Sequence, residues 1–181
     1  MTAPTTGSTS VWKLDPTHSN IEFSAKHLML TTVRGRFADV EGTVTVKGAT
    51  PDTAAVDATM KVASIDTRTE QRDQHLRSAD FFDVENYPAI TFKSTRISGS
   101  RERFTITGDL TIRGTTKPVT LDVTYEGTGK DPWGGERMGF SADGKIDRRE
   151  FGLTWNQALE AGGVVVSNEI KIHIDAQLVR S

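Results

Sequence analysis

Four histidines and no cysteine occur among the 181 residues. Side-chain acid–base or metal chemistry would therefore run through His18, His27, His75 or His173, while disulfides, thiolate metal sites and cysteine nucleophiles are excluded. His18 lies in Asp15-Pro16-Thr17-His18-Ser19, which reads as a turn whose Asp15 side chain can accept a hydrogen bond from the backbone two residues on. His18, His27 and Asp15 could share a metal ion, but their spacing matches no recognised ligand pattern. His173 falls on the polar face of an alternating run. His27 lies one step beyond Ala25 on an apolar face, either as a satisfied inward histidine or as a polar contact at one end of a cavity. Gly-x-Ser-x-Gly, His-Glu-x-x-His and Gly-x-Gly-x-x-Gly are all absent. Gly127-Thr128-Gly129-Lys130 resembles the end of a phosphate loop, but it lacks the upstream glycine and carries Asp131 where Ser or Thr is required, so it reads as a turn. The expectation is a protein that is not an enzyme and that needs no metal and no cofactor. Two alternatives stay open: a filled barrel acting as a protein-interaction module, and an enzyme on a small apolar substrate using His18, His27 or His75.

Twenty-two basic and 24 acidic residues leave a formal charge of -2, a balance that points to neither nucleic acid nor an anionic membrane as partner. Residues 1–10 are rich in Thr, Ser, Gly and Pro and have neither a basic nor an apolar segment of the signal-peptide kind. They read as a disordered N-terminal tail, followed by a single barrel domain over residues 11–181. No run approaches the ~18 apolar residues of a membrane helix, so a cytoplasmic protein without stable membrane insertion is expected.

The rest of the chain is written in period two. Phe104-Thr105-Ile106-Thr107-Gly108-Asp109-Leu110-Thr111-Ile112 keeps apolar residues or glycine at even positions and Thr or Asp at odd ones. Ile21 to Ala25, Gly42 to Val46, Val119 to Tyr125 and Ile170 to Leu178 repeat the pattern. Alternation gives each strand one dry and one wet face, as antiparallel sheet requires. Turn residues separate about eight such runs, centred near residues 23, 42, 60, 92, 108, 121, 142 and 174. Residues 36–48, 55–66 and 136–149 each allow a strand of roughly 40 Å. One stretch breaks the rhythm. Thr67-Arg68-Thr69-Glu70 has capping-box spacing with Thr67 as N-cap, and a short helix through Ala79 follows, with Asp73 and Arg77 as an i,i+4 pair and a thin stripe of His75, Leu76 and Ala79 to lay over an opening. With so little helix, the strands must cover one another, and closure into a barrel removes their edges. An eight-stranded interior is just wide enough to fill with side chains or to hold one slender ligand. Inward small residues (Gly42, Ala58, Gly108, Ala142, Ala176) permit a void, and large ones can fill it. From alternation alone the filled core is the favoured reading. Asp147-Arg148-Arg149-Glu150-Phe151-Gly152-Leu153-Thr154-Trp155-Asn156 reads either as a strand end over a packed Trp or as a cavity mouth.

In combination, several stretches resemble the YceI-like, polyisoprenoid-binding, lipocalin-like proteins. They are Asp15-Pro16-Thr17-His18-Ser19 with Ile21 and Phe23; Ser64-Ile65-Asp66-Thr67; Arg72 to Asp83; Tyr87-Pro88-Ala89-Ile90-Thr91-Phe92; Leu110 to Val119; and Arg149-Glu150-Phe151-Gly152-Leu153. The resemblance implies an extended eight-stranded antiparallel up-and-down barrel with a helical segment near the pore mouth, a homodimer, and a long-chain lipid, isoprenoid or similar, held inside for transport or storage. The implied ligand-binding set is Ile21, Phe23, Phe37, Val44, Met60, Val62, Phe92, Phe104, Ile106, Leu110, Leu121, Phe140, Ile172 and Ile174. Leu76, Phe81 and Phe82 would close one end, and His27, Phe151, Leu153 and Trp155 would stand at the cavity's ends.

Overall fold

The structure, a computed structural model, describes residues 7–48, 50–160 and 163–181. Its strands are β1 (Thr9–Leu14), β2 (Asn20–His27), β3 (Thr31–Phe37), β4 (Val40–Lys47), β5 (Ala54–Lys61), β6 (Ile65–Asp66), β7 (Ala89–Gly99), β8 (Arg103–Ile112), β9 (Thr115–Lys130), β10 (Glu136–Asp147) and β11 (Glu169–Arg180), with one helix, α1 (Glu70–Arg77), between β6 and β7. Neighbouring strands pair antiparallel in the order β1-β4-β5-β7-β8-β9-β10-β11, and β11 returns to β1 through Trp12↔Arg180 and Leu14↔Leu178. These eight strands form a closed ring, the barrel expected from the alternation. β2, β3 and β6 carry the wall on towards the end covered by α1, called the upper end below: β2 continues β1 along β11, and β3 precedes β4.

Three of the long runs are interrupted. The run expected over 36–48 starts at Thr31 and breaks at Ala38-Asp39, where the Ala38 N–H donates to the Ser64 carbonyl (3.2 Å) and the Asp39 carbonyl accepts from Lys61 N–H (3.0 Å). The run over 55–66 is cut by a 3-10 turn, Val62–Ser64. The third ends at Asp147, and Arg148–Phe151 form a 3-10 turn. The tail is shorter than its expected ten residues, because Thr9 and Ser10 pair with Lys47 and Val46 as the start of β1; residues 1–6 lie outside the described part. β9 runs through Gly127 to Lys130, so the phosphate-loop look-alike is strand, and the turn comes after it.

The capping box does not form. The residue preceding α1 is Thr69, without a side-chain cap. Thr67 instead serves Asp73, whose side chain is nearly inaccessible (4 % exposed). Asp73 Oδ1 accepts from Thr67 N–H (2.9 Å) and from its hydroxyl (2.5 Å). A buried carboxylate has to be hydrogen-bonded, and that need outranks the cap. The expected Asp73–Arg77 pair is replaced accordingly: Arg77 reaches Glu70 and the Ile65 carbonyl, each at 3.3 Å.

Two glycines act by close approach. A Cβ at Gly108 would overlap the Phe92 ring and stand 2.7 Å from the Lys93 carbonyl oxygen; one at Gly35 would overlap the Phe23 ring. Each glycine is a recess that takes an aromatic ring from the neighbouring strand. Gly108→Ala should therefore destabilise the barrel by about 1–3 kcal/mol through overpacking, as read by urea unfolding. Phe92→Leu in the same chain should recover part of the loss. Gly129→Ala, with nothing within 4 Å of the added methyl, should stay within about 0.5 kcal/mol.

Candidate ligand-binding cavity

The inward side chains do not fill the ring. They enclose a cavity of about 830 Å³, within the span of small-molecule sites. Successive even positions of β8 (Phe104, Ile106, Leu110, Ile112) and of β11 (Ile170, Ile172, Ile174, Ala176, Leu178) face it, as alternation requires. Every residue of the expected set lines it except Val62. Val62 is 1 % exposed, but the 3-10 turn takes it out of the strand's in–out alternation, and it packs behind the lining. Gly42, Ala58, Ala142 and Ala176 do face the cavity. Gly108 does not create space, since the Phe92 ring occupies its recess.

At the upper end, the His75 ring packs edge-on against Trp155 (4.7 Å between centroids) and Phe81 (5.1 Å), and Phe81 lies 5.3 Å from Trp155. α1 supplies His75 and Leu76, and Arg113 holds the loop after it by donating to the Phe81 carbonyl (2.8 Å). At the lower end, Phe140 meets Phe104 edge-on and Tyr125 at a tilt, and the Arg101 guanidinium sits 5.5 Å from the centre of the Tyr125 ring. Thr50, Pro51, Arg101 and Met138 complete that rim. Sequence reasoning reached Trp155 but missed Val165 and Val166, which stand in a stretch with no periodicity to reveal them. Val46, Val56, Val119, Val123 and Ile170 were within reach, being in phase with residues already named, whereas Trp12 lies on a strand of which no residue had been named.

Arg148 fastens that segment. It is 4 % exposed and donates to the carbonyls of Leu153 (2.7 Å), Trp155 (2.8 Å) and Ser167 (2.9 Å), with longer contacts to Val166 and Asn168. Burial lowers its pKa from the ordinary arginine value; the ring of oxygens compensates the lost water. Sequence alone left this stretch as a strand end or a mouth. The structure makes it the seat of the upper closure, with Phe151, Leu153 and Trp155 facing the cavity.

The histidines divide by location. His27 and His75 line the upper end, and His27 is exposed. His75 also pairs with Asp80 (2.8 Å). His173 stands outside between Asp143 (2.7 Å) and Asp175 (3.2 Å), and the Asp143 hydrogen bond raises its pKa. His18 bonds Asp15 (2.8 Å), which accepts from Arg137 (2.7 Å), which in turn reaches Asp131 (2.9 Å). None of those four lines the cavity. They tie the bend between β1 and β2 to the β9–β10 turn. Among the described residues no cluster of three or more His, Asp or Glu side chains could hold a metal ion, and none of the helices could cross a membrane.

A closed antiparallel barrel around an apolar lumen defines a ligand-binding β-barrel of the lipocalin-like kind. The model of the YceI-like domain matches residues 12–178. Protein YceI of Salmonella newport is 42% identical over 154 residues, covering 83% of this chain and 81% of that protein. Protein YceI of Shigella sonnei is 43% identical over 136 residues, covering 75% and 71%. The chain belongs to the YceI-like family. Its fold resembles the crystal structures of Campylobacter jejuni YceI (TM-score 0.74, 33% identity, 85% of this chain and 88% of that one) and Burkholderia cenocepacia BcnA (0.79, 24%, 91% and 98%). A polyisoprenoid binding domain from Saccharophagus degradans shares the fold at 14% identity (TM-score 0.67, 94% and 98%).

Two outcomes follow from the polar ties. Arg148→Met should leave several carbonyls unpaired and cost about 2 kcal/mol or more in urea unfolding. Hydrogen bonds from His18 and then Arg137 hold the Asp15 carboxyl well below the usual carboxylate range. A depressed folded pKa contributes stability above the unfolded value and loses it as pH falls through the folded one, so this contribution fades below about pH 4. Asp15→Asn should already be less stable at neutral pH and should show a shallower acid limb in melting temperature against pH.

Proposed function

We propose that the barrel binds one long apolar or amphiphilic chain, an isoprenoid or a lipid of similar width, for transport or storage. The observation that carries this reading is the largely apolar lining from one end of the barrel to the other, with its polar residues gathered towards the ends: Glu22, Lys26, His27, Thr67, Arg72, His75 and Arg148 above, Ser10, Thr50, Arg101 and Tyr125 below. On β10 the lining spans Met138 to Ile146. At ~3.3 Å per residue and a strand tilt near 40°, that is about 20 Å of lumen. Such a tube favours slender molecules. Burial of apolar surface at about 25 cal/mol per Å² supplies affinity without polar contacts, and walls of this kind read length and width more than chemical detail. Binding rather than turnover is the reading that fits His75 packed among aromatic rings and His18 committed to Asp15. The shared fold of the Saccharophagus polyisoprenoid binding domain gives the isoprenoid its place among the candidates.

Native mass spectrometry of protein purified from cells, followed by solvent extraction, should show a co-purifying long-chain lipid. Ile106→Asp, which puts a carboxylate into the lining, should lower its retention at least tenfold, because an unpaired buried charge is disfavoured by more than 1.4 kcal/mol. Extracts without lipid, together with no uptake of added pyrene-labelled long-chain alcohol by the folded protein, would remove the proposal.

A further inference from the structure

We propose that the tip of the β2–β3 hairpin, Leu28-Met29-Leu30, docks the upper rim of the barrel onto an anionic lipid bilayer. The proposal rests on reading the cavity as an apolar-chain site. Met29 is 62% and Leu30 78% exposed. Leu28 and Met29 also both hold left-handed backbone, with φ of 53° and 56°, a conformation comfortable for Gly or Asn and unfavourable for long side chains. The tip's backbone is fixed: Leu28 N–H donates to the Val165 carbonyl (2.9 Å) and Leu30 N–H to the His27 carbonyl (3.0 Å). Strain and apolar exposure thus coincide at a well-held turn, and the Met29 and Leu30 side chains gain little burial in return. Strain of this sort gathers where a surface has work to do.

Position says what the work is. The residues that adjoin and hold the tip, Lys26, His27, Val165 and Val166, themselves line the cavity. An apolar chain resides in bilayers, and moving it through water exposes its whole surface. A tip sunk in the interface shortens that passage to the cavity's end. Charge agrees at the tip itself: exposed Lys26 adjoins it and no acid occurs from Phe23 to Phe37, while Arg34 and Arg36, further back, pair with Glu22 (3.4 Å) and with Asp66 of β6 (3.7 Å), so the turn carries local positive charge inside a chain of net -2. Near it, Ala158 bridges Val164, with Leu159 and Val164 half-buried and the acid Glu160 exposed. A second copy of the chain is the weaker occupant, since a tip of two large side chains falls far short of the ~1,000 Å² that a stable interface needs. The same smallness makes bilayer contact reversible, as loading and release require.

The test is co-sedimentation of the full chain with mixed phosphatidylglycerol–phosphatidylcholine vesicles, run beside uptake of a pyrene-labelled long-chain alcohol without vesicles. The wild-type protein should sediment with the vesicles. Leu30→Ser and Met29→Asn should each lower the partition by about tenfold while leaving probe uptake unchanged. Because Asn accepts the left-handed backbone, Met29→Asn should hold or raise the melting temperature, which separates lost docking from lost folding. Trp133→Ala, at the β9–β10 turn of the opposite end, should partition as wild type. The proposal fails if the wild-type protein stays in the supernatant, if the tip variants sediment as it does, or if only Trp133→Ala loses binding. It also fails if Leu30→Ser converts a dimer to a monomer in light scattering, for then a second copy covers the tip. Tip-dependent sedimentation without probe uptake would support docking and overturn the cavity reading alone.

Discussion

Closure of β11 onto β1 is the constraint on which the rest depends. A ring of eight strands has no second layer, so every inward side chain must be covered by the opposite wall or by something inside. Trp12↔Arg180 and Leu14↔Leu178 complete the ring, and the Asp15–Arg137–Asp131 chain holds the adjacent bend where β1 gives way to β2. Once the ring is shut, what remains to be settled is only how its interior is shared between side chains and space.

Recesses in the wall set that division. Phe23 lies into Gly35, Phe92 into Gly108, and Leu121 against Gly144. Large side chains that would otherwise cross the lumen are drawn flat against neighbouring strands. The densest packing then collects towards the upper end, where Val62, Ile65, Ile90 and Phe151 are each at most 2 % exposed, and the lumen below stays open. At that packed end two buried charges serve as posts. Asp73 fastens α1 to the Thr67 turn, and Arg148 fastens the 153–168 segment through carbonyl oxygens. A buried charge with its hydrogen bonds complete specifies one arrangement of the chain around it. The least regular part of the molecule is thus held by its most directional interactions.

Period two made the barrel and nearly all of its lining legible, because alternation is a local property that closure preserves. Val62 failed since a one-turn break shifts the phase of everything in it, and the Ala38-Asp39 break hid the separate strand β3 in the same way. Gly108 was misread because its partner, Phe92, is distant in sequence. Thr67 looked like a cap because its neighbour Glu70 is visible locally and the burial of Asp73 is not. Alternation favoured a filled core, and the cavity of about 830 Å³ overturns that reading, because filling depends on where side chains lean across strands, which alternation does not record.

The polar pattern of the two ends bears on which one a ligand uses. Arg101 sits against Tyr125 on the lower rim and leaves that rim a small set of short turns. The upper rim is built from the β2–β3 hairpin, which is laddered to β11, and from α1 and the stretches 153–160 and 163–168, which are joined to the rest by individual hydrogen bonds rather than by continuous ladders. Structures open first where ladders are fewest. The aromatic plug of His75, Phe81 and Trp155 is seated on those same pieces, so movement of either α1 or the segment tied by Arg148 would unseat it without disturbing a single pair of the closed ring. The upper end is therefore the one that can open while the barrel stays shut, and it is also the end that carries the exposed, strained apolar turn.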